Sequence, residues 1–385
     1  MKEALKLFYK SNYELLVNKY NVDKAYADYI GSKLYPNPSI LVGNIGHNFA
    51  SGYPSVNQNT QTTVRLEQLI ELGGRREMRI NSAEESLVVA ELFQKDKIRN
   101  LLAGFYDIWF HLLLDRQHVE FGKNDLERLD NILRIAEARF NAGSLSKIEH
   151  TKLRLFRLER VTALTHVESK YRNRQEDFSL LLGGEKKYLP VPTSDISEAS
   201  GVFSEEALIK KAMQNRYDLL ALQKQLKSAD LNLAIAQSYR IPDVTVGLQY
   251  DSFGGSLDPY IGAGIGINLP IFNRNQGVIG KRAAERGQIE TLIEKTRRNA
   301  ASEVRKALNN YLAAINIEKS FANRKNEMED LLKRSATAFA LGGISALDFL
   351  DAQRTHLDFS AKYLQSRMQT LLNRELLKIS TGEID

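Results

Sequence analysis

The chain has 385 residues, 43% of them hydrophobic and 26% charged, and it contains no cysteine. That composition excludes disulfides, thiolate metal sites and cysteine nucleophiles, and leaves the redox compartment open. The formal charge of +6 would permit nucleic-acid binding, but acids are interleaved with the basic residues, as in Glu71–Arg79 and Lys281–Arg286. Without a basic stripe, a solvated surface is expected and no nucleic-acid partner.

From the start, Met1-Lys2-Glu3 opens directly into a helical pattern with no secretory signal, so an export signal is expected to have been removed or to lie outside this sequence. A first strand pair is predicted over 38–49 and 60–70. A helix of roughly 70 residues, about 100 Å long at 1.5 Å per residue, then runs to a glycine turn near Gly143. Apolar positions at Leu87, Val88, Leu92, Phe93, Leu101, Leu102, Phe105 and Ile108 supply its packing stripe, and Trp109 is read as packing. A Gly-, Pro- and Ser-rich linker covers 183–203. The second half repeats the order: helix, strands over 242–251 and 259–271, a second helix of similar length, and a turn near Gly342. No run approaches the roughly 18 apolar residues of a membrane-spanning helix.

The eight prolines fall in three zones, leaving 55–189 and everything after Pro270 free for uninterrupted helix. Matching landmarks recur in register. Tyr13 and Pro38 are spaced as Tyr217 and Pro242 are, and Phe140-Asn141-Ala142-Gly143-Ser144-Leu145-Ser146 matches Phe339-Ala340-Leu341-Gly342-Gly343-Ile344-Ser345. The chain therefore reads as one unit used twice, 1–182 and 204–385. In the second strand pair, Val244, Val246, Leu248 and Tyr250 alternate with Thr245, Gly247, Gln249 and Asp251. Ile261, Ala263, Ile265, Ile267 and Leu269 alternate with Gly262, Gly264, Gly266 and Asn268.

Strands of about ten residues with one apolar face suit a transmembrane barrel. Aromatics cluster at two levels: Tyr35, Tyr239 and Phe272 at one, and Phe49, Tyr53, Tyr250, Phe253 and Tyr260 at the other. Four strands cannot close a barrel, and lipid does not tolerate an open edge, so three copies giving about 12 strands around a hollow pore are expected. The fold class expected is mainly α with a transmembrane β part, the long helices pairing as antiparallel hairpins.

Leu269-Pro270-Ile271-Phe272, the following Asn273-Arg274-Asn275-Gln276-Gly277 and the paired glycine turns resemble the TolC-like outer-membrane efflux family over almost the whole chain. That resemblance implies a homotrimer with an outer-membrane β-barrel and a periplasmic α-helical barrel. It also implies contacts with outer-membrane lipid, a periplasmic adaptor (membrane fusion) protein and an inner-membrane pump of the RND type. Gly143, Ser144, Leu145, Gly342, Gly343 and Ile344 look like adaptor-docking tips. Asp348 and Asp351, one turn apart on a helix face, look like an aperture gate, where three copies would crowd six carboxylates. The equivalent positions in the first repeat are Glu149 and Lys152, so no second acidic ring is implied. Glu67-Gln68-Leu69-Ile70-Glu71-Leu72-Gly73-Gly74-Arg75-Arg76 is similar to the CzcC-like branch, associated with cobalt, zinc and cadmium efflux.

No enzyme, cofactor or metal site is expected. His111 and His118 lie seven apart, too far for an i, i+4 clamp, and there is no GxSxG, phosphate loop or HExxH. His47, His150, His166 and His356 join no such motif. The competing reading is a soluble coiled-coil scaffold capped by a small sheet.

Overall fold

A computed structural model describes residues 1–45, 61–184, 191, 204–253 and 258–384. Phe49, Tyr53 and His47, the outer part of the first predicted strand, and most of the expected linker lie outside the described residues. The elements run α1 (Lys2–Ser11), α2 (Tyr13–Ser32), β1 (Ser39–Ile45), β2 (Gln61–Ile70), α3 (Arg75–Asn141) and α4 (Lys147–Leu181). They continue with α5 (Glu205–Asn215), α6 (Tyr217–Ser238), β3 (Val244–Ser252), β4 (Tyr260–Ile267), α7 (Gln276–Ala322), α8 (Lys325–Ala340) and α9 (Ala346–Ser380). No described helix is long and apolar enough to cross a membrane.

Two compact units form, and each draws on both halves of the sequence. One contains residues 1–19, 94–217 and 297–385; the other contains 20–93 and 218–296. The secondary structure of the first is helical throughout its described residues. Its core gathers Phe8, Phe105, Trp109 and Phe178 with Leu102, Leu112, Met368 and Leu371. Trp109 stacks on Phe105 with ring centres 6.3 Å apart, and Phe178 lies 5.4 Å from Phe105. Each such aromatic pair adds about 0.5–1.5 kcal/mol beyond area burial. Of the predicted α3 stripe, Leu102 and Phe105 are buried, whereas Phe93 is exposed. The chain kinks at Asn12 and again at Arg216, both with ψ near 122°. The Asn12 side chain then accepts from Leu15 N at 3.1 Å, starting α2.

The second unit holds a four-stranded antiparallel sheet in the order β1-β2-β3-β4. The sequence pairs β1 with β2 and β3 with β4; the structure adds the β2–β3 ladder, which puts Val64 opposite Tyr250 and Leu66 opposite Leu248. β4 stops at Ile267, short of the expected 271, because Asn268 and Pro270 lead into a turn in which Ile271 N reaches Leu269 O at 2.9 Å. Both strand-to-helix junctions need left-handed backbone: Gly73 and Gly74 (φ 68° and 69°) before α3, and Asn275 (φ 64°) before α7. Arg75 is buried at the first junction. It donates to the carbonyls of Ser238 (3.3 Å) and Ile241 (3.0 Å), pairs with Asp243, and lies over the Tyr239 ring.

The 67 residues of α3 form one helix, as the absence of proline predicts. The second long helix does not. It breaks after Ala322, where Arg324 N bonds Phe321 O and Arg324 (φ −108°, ψ 2°) starts α8. Asn323 and Asn326 are poor helix formers whose side chains compete for backbone groups, and Ser320 Oγ already bonds Asn316 O at 2.8 Å. At the offset aligning Phe140 with Phe339, the break falls at Asn124-Asp125, where α3 continues and Asp125 is buried.

Candidate functional site

Residues opposite one another in an antiparallel ladder share a face, so the register sorts every strand position. One face carries Ile40, Val42, Val64, Leu66, Val244, Val246, Leu248, Tyr250, Ile261, Ala263, Ile265 and Ile267. It is open: Ile261, Ile265 and Ile40 are 77%, 74% and 70% exposed. The other face carries Thr63, Arg65, Glu67, Thr245, Gln249, Asp251 and the β4 glycines Gly262, Gly264 and Gly266, together with Leu41, Ile45 and Leu69. Its polar groups bond across strands. Thr63 Oγ1 and Gln61 Nε2 donate to Asp251 at 2.5 and 2.9 Å, and Arg65 donates to Gln249 Oε1 at 2.6 Å. Among the described residues, β1 and β4 each leave an edge without a partner strand.

At the other candidate region, in the helical unit, both tips are Schellman turns. Gly143 (φ 75°) sends its N–H to Phe140 O while Ser144 N reaches Arg139 O; Gly342 (φ 80°) and Gly343 do the same to Phe339 O and Ala338 O. Leu145 is buried and Ile344 half-buried against a cluster containing Phe339, Phe349 and Phe156, while Ser144 is exposed. The helices after the tips begin with capping boxes: Ser146 with Glu149, and Ser345 with Asp348. Asp348 Oδ2 accepts from Ser345 Oγ (2.6 Å) and Ser345 N (3.1 Å). The Ser345 side chain, then its backbone, holds the Asp348 carboxyl below the usual carboxylate range within one chain. Asp348 and Asp351 line a shallow trough of 610 Å³ between α4 and α9, facing Lys152, Leu155, Glu159 and Arg354.

Sequence reasoning missed the groups that tie the two tips together. Arg139 Nη1 donates to Phe339 O at 2.5 Å with its guanidinium 5.0 Å from the Phe339 ring centre, and Ala346 N donates to Glu149 Oε1 at 3.3 Å. Higher in the bundle, buried Asp125 accepts from Gln353 Nε2 (2.5 Å) and Arg160 Nε (3.3 Å), joining α3, α4 and α9. Burial pushes the Asp125 carboxyl up, against the pull of Arg160 and Arg128. A charge in mid-helix on the apolar stripe was the available signal for Asp125; nothing local marks Arg139. His356, on α9, lies against Phe121 at 6.0 Å, and burial lowers its pKa.

A family model described as outer membrane efflux protein matches residues 208–383. The cobalt-zinc-cadmium resistance protein CzcC of Cupriavidus metallidurans is 23% identical over 380 residues, covering 96% of this chain and 87% of that protein. The pyoverdine export outer membrane protein OpmQ of Pseudomonas putida is 26% identical over 77% of this chain and 64% of its own length. Among solved structures, CusC is similar with a TM-score of 0.84 at 17% identity, over 100% of this chain and 92% of that one. The Campylobacter jejuni CmeC outer membrane channel follows with 0.82 at 14% identity, over 99% and 85%.

Proposed function

We propose that the chain is a member of the outer membrane efflux protein family, whose model matches residues 208–383, and that it is the outer-membrane exit duct of a tripartite efflux system, conducting passively and without catalysis. The observation that carries this reading is the two-faced sheet: a continuous exposed apolar face, a second face whose polar groups bond one another, and, among the described residues, two edges without a partner strand. A water-soluble protein would leave that apolar area and both edges as an aggregation hazard, whereas lipid on one side and neighbouring copies at the edges satisfy all three features. The assembly is a homotrimer of about 12 strands, with the helical unit in the periplasm reaching an adaptor and, through it, an inner-membrane pump of the RND type. Divalent heavy-metal cations are the cargo; the similarity to CzcC along nearly the whole chain supports this.

The unit used twice, 1–182 and 204–385 joined by 183–203, is supported by the matched kinks at Asn12 and Arg216 and the matched capping boxes. The tips Gly143-Ser144-Leu145 and Gly342-Gly343-Ile344 are the adaptor-docking points. Asp348 and Asp351 form the aperture gate in an unequal partnership: Asp348 is engaged as a helix cap, and Asp351, exposed and without an ion pair among the described residues, supplies the free charge. Single-channel current in planar bilayers tests this. Wild type should give a small cation-preferring current, and Asp351→Asn should weaken the preference more than Asp348→Asn. Currents from both variants matching wild type would remove the gate assignment. A wild-type protein that folds, needs no detergent and passes no current would remove the duct.

A further inference from the structure

The helix-side rim of the sheet carries cations that neither the pore nor the tips use. Antiparallel pairing brings the start of β1, the end of β2, the start of β3 and the end of β4 to one level. At that level Arg76 donates to Lys33 O at 2.7 Å and holds its guanidinium 4.1 Å from the Tyr35 ring centre. The Lys33 ammonium sits 3.8 Å from the Tyr29 ring centre. Gln68, which shares the apolar face with Val246 and Ile265, donates to Pro36 O at 3.0 Å, so this cation–tyrosine cluster adjoins the apolar face.

The acids nearby are already matched. Glu71 is paired with Arg79, whose Nη2 lies 2.9 Å from Oε2, and Asp243 is paired with Arg75. Lys33 and Arg76 have no carboxylate partner among the described residues, and the Arg76 Nε is buried without a hydrogen-bond acceptor. Exposed Arg240 and Arg274, and Phe272 at 93% exposure, lie at the same level. Two unneutralised cations braced on tyrosine rings, at the rim of an apolar sheet face, match an anionic headgroup whose acyl chains cover Val246 and Ile265.

We propose that Lys33 and Arg76, framed by Tyr29 and Tyr35, form a binding site for the phosphodiester headgroup of an anionic phospholipid in the periplasmic leaflet. The site rests on the outer-membrane reading above. It orients the barrel at its inner interface, with tyrosine rings holding both cations at headgroup depth.

Native mass spectrometry of the detergent-purified trimer tests it, with phosphatidylglycerol or phosphatidylethanolamine of identical acyl chains added. Wild type should retain phosphatidylglycerol preferentially. Lys33→Gln should weaken that retention about fivefold, and Lys33→Gln with Arg76→Gln about 20- to 30-fold, at roughly 1 kcal/mol per cation. Lys33→Gln removes an exposed side chain and serves alone if the Arg76 change impairs folding. Equal retention of the two lipids, or unchanged retention in both variants, overturns the site. Displacement of the lipid by millimolar glycerol 3-phosphate identifies a free-phosphate site instead and overturns the headgroup assignment. Loss of trimers from Lys33→Gln with lipid retention intact shows that a second copy covers the cluster, which overturns it too. Bilayer currents without lipid preference leave the duct standing and remove the site; lipid preference without currents does the reverse.

Discussion

Placing an arginine on either face of the sheet separates a lipid-embedded barrel from a half-exposed soluble sheet. Leu248 is the middle residue of β3, on the apolar face opposite Leu66 and Ala263. Gly264 sits one residue along in register, on the polar face opposite Gly247, with open space where a Cβ would project. In lipid, Leu248→Arg costs about 2–4 kcal/mol per copy near mid-bilayer, a factor of about 30 to 1,000 in the folding equilibrium of each chain. Gly264→Arg meets no atom and stays in an aqueous pore, so the fold survives and three added cations lower cation current. The assay is the yield of heat-resistant trimer in the outer-membrane fraction and its denaturant midpoint in micelles, beside single-channel conductance. In a soluble protein Leu248, already exposed, would accept arginine with little cost or a gain in solubility. Normal trimer yield and midpoint for Leu248→Arg, together with unaltered conductance for Gly264→Arg, would refute the assignment of the faces.

Three further outcomes follow from the helical unit. Gly143→Ala should cost about 1 kcal/mol from its left-handed backbone alone, because nothing lies near its Cβ position, whereas Gly183→Ala should cost more, since its Cβ would fall 2.0 Å from Ser11 O; thermal or denaturant midpoints rank the two. Ser146→Ala and Ser345→Ala should each lose about 1 kcal/mol of capping, read as faster amide exchange in the first turns of α4 and α9 with the β2–β3 ladder unchanged. The pH dependence has opposite signs at two places. Asp125, with its pKa raised by burial, contributes stability that is complete below the ordinary carboxylate range and lost as pH rises through its elevated value. Glu149, held down by Ser146, contributes stability present above the ordinary range and lost as pH falls through its depressed value. Lowering the pH should therefore firm the Asp125 region first, as it passes the elevated value, and loosen exchange protection at the start of α4 only below the ordinary carboxylate range, and Asp125→Asn should abolish only the first effect.

Periodicity and turn chemistry are local, and they made the strands, the unbroken α3 and the glycine turns legible from the residues alone. Alternation sorted Val244, Val246, Leu248 and Tyr250 from Thr245, Gly247, Gln249 and Asp251 because side-chain direction in a strand reverses at every residue. The left-handed turns at Gly143 and Gly342 follow from the one residue type without a Cβ penalty. The break between α7 and α8 was less legible, since a run free of proline permits a helix without compelling one where asparagines compete for the backbone. Only the tertiary structure decided that β2 lies beside β3, that the compact units each draw on both halves of the chain, and that Arg139 and Glu149 reach the second tip. These contacts join residues up to 200 positions apart, and no short-range pattern specifies which distant backbone carbonyl a guanidinium will meet. The same holds for Asp348. Its spacing after the tip marks a carboxylate on an exposed helix face, but only the folded turn shows that carboxylate bound to Ser345, because capping depends on where the preceding backbone leaves its N–H groups.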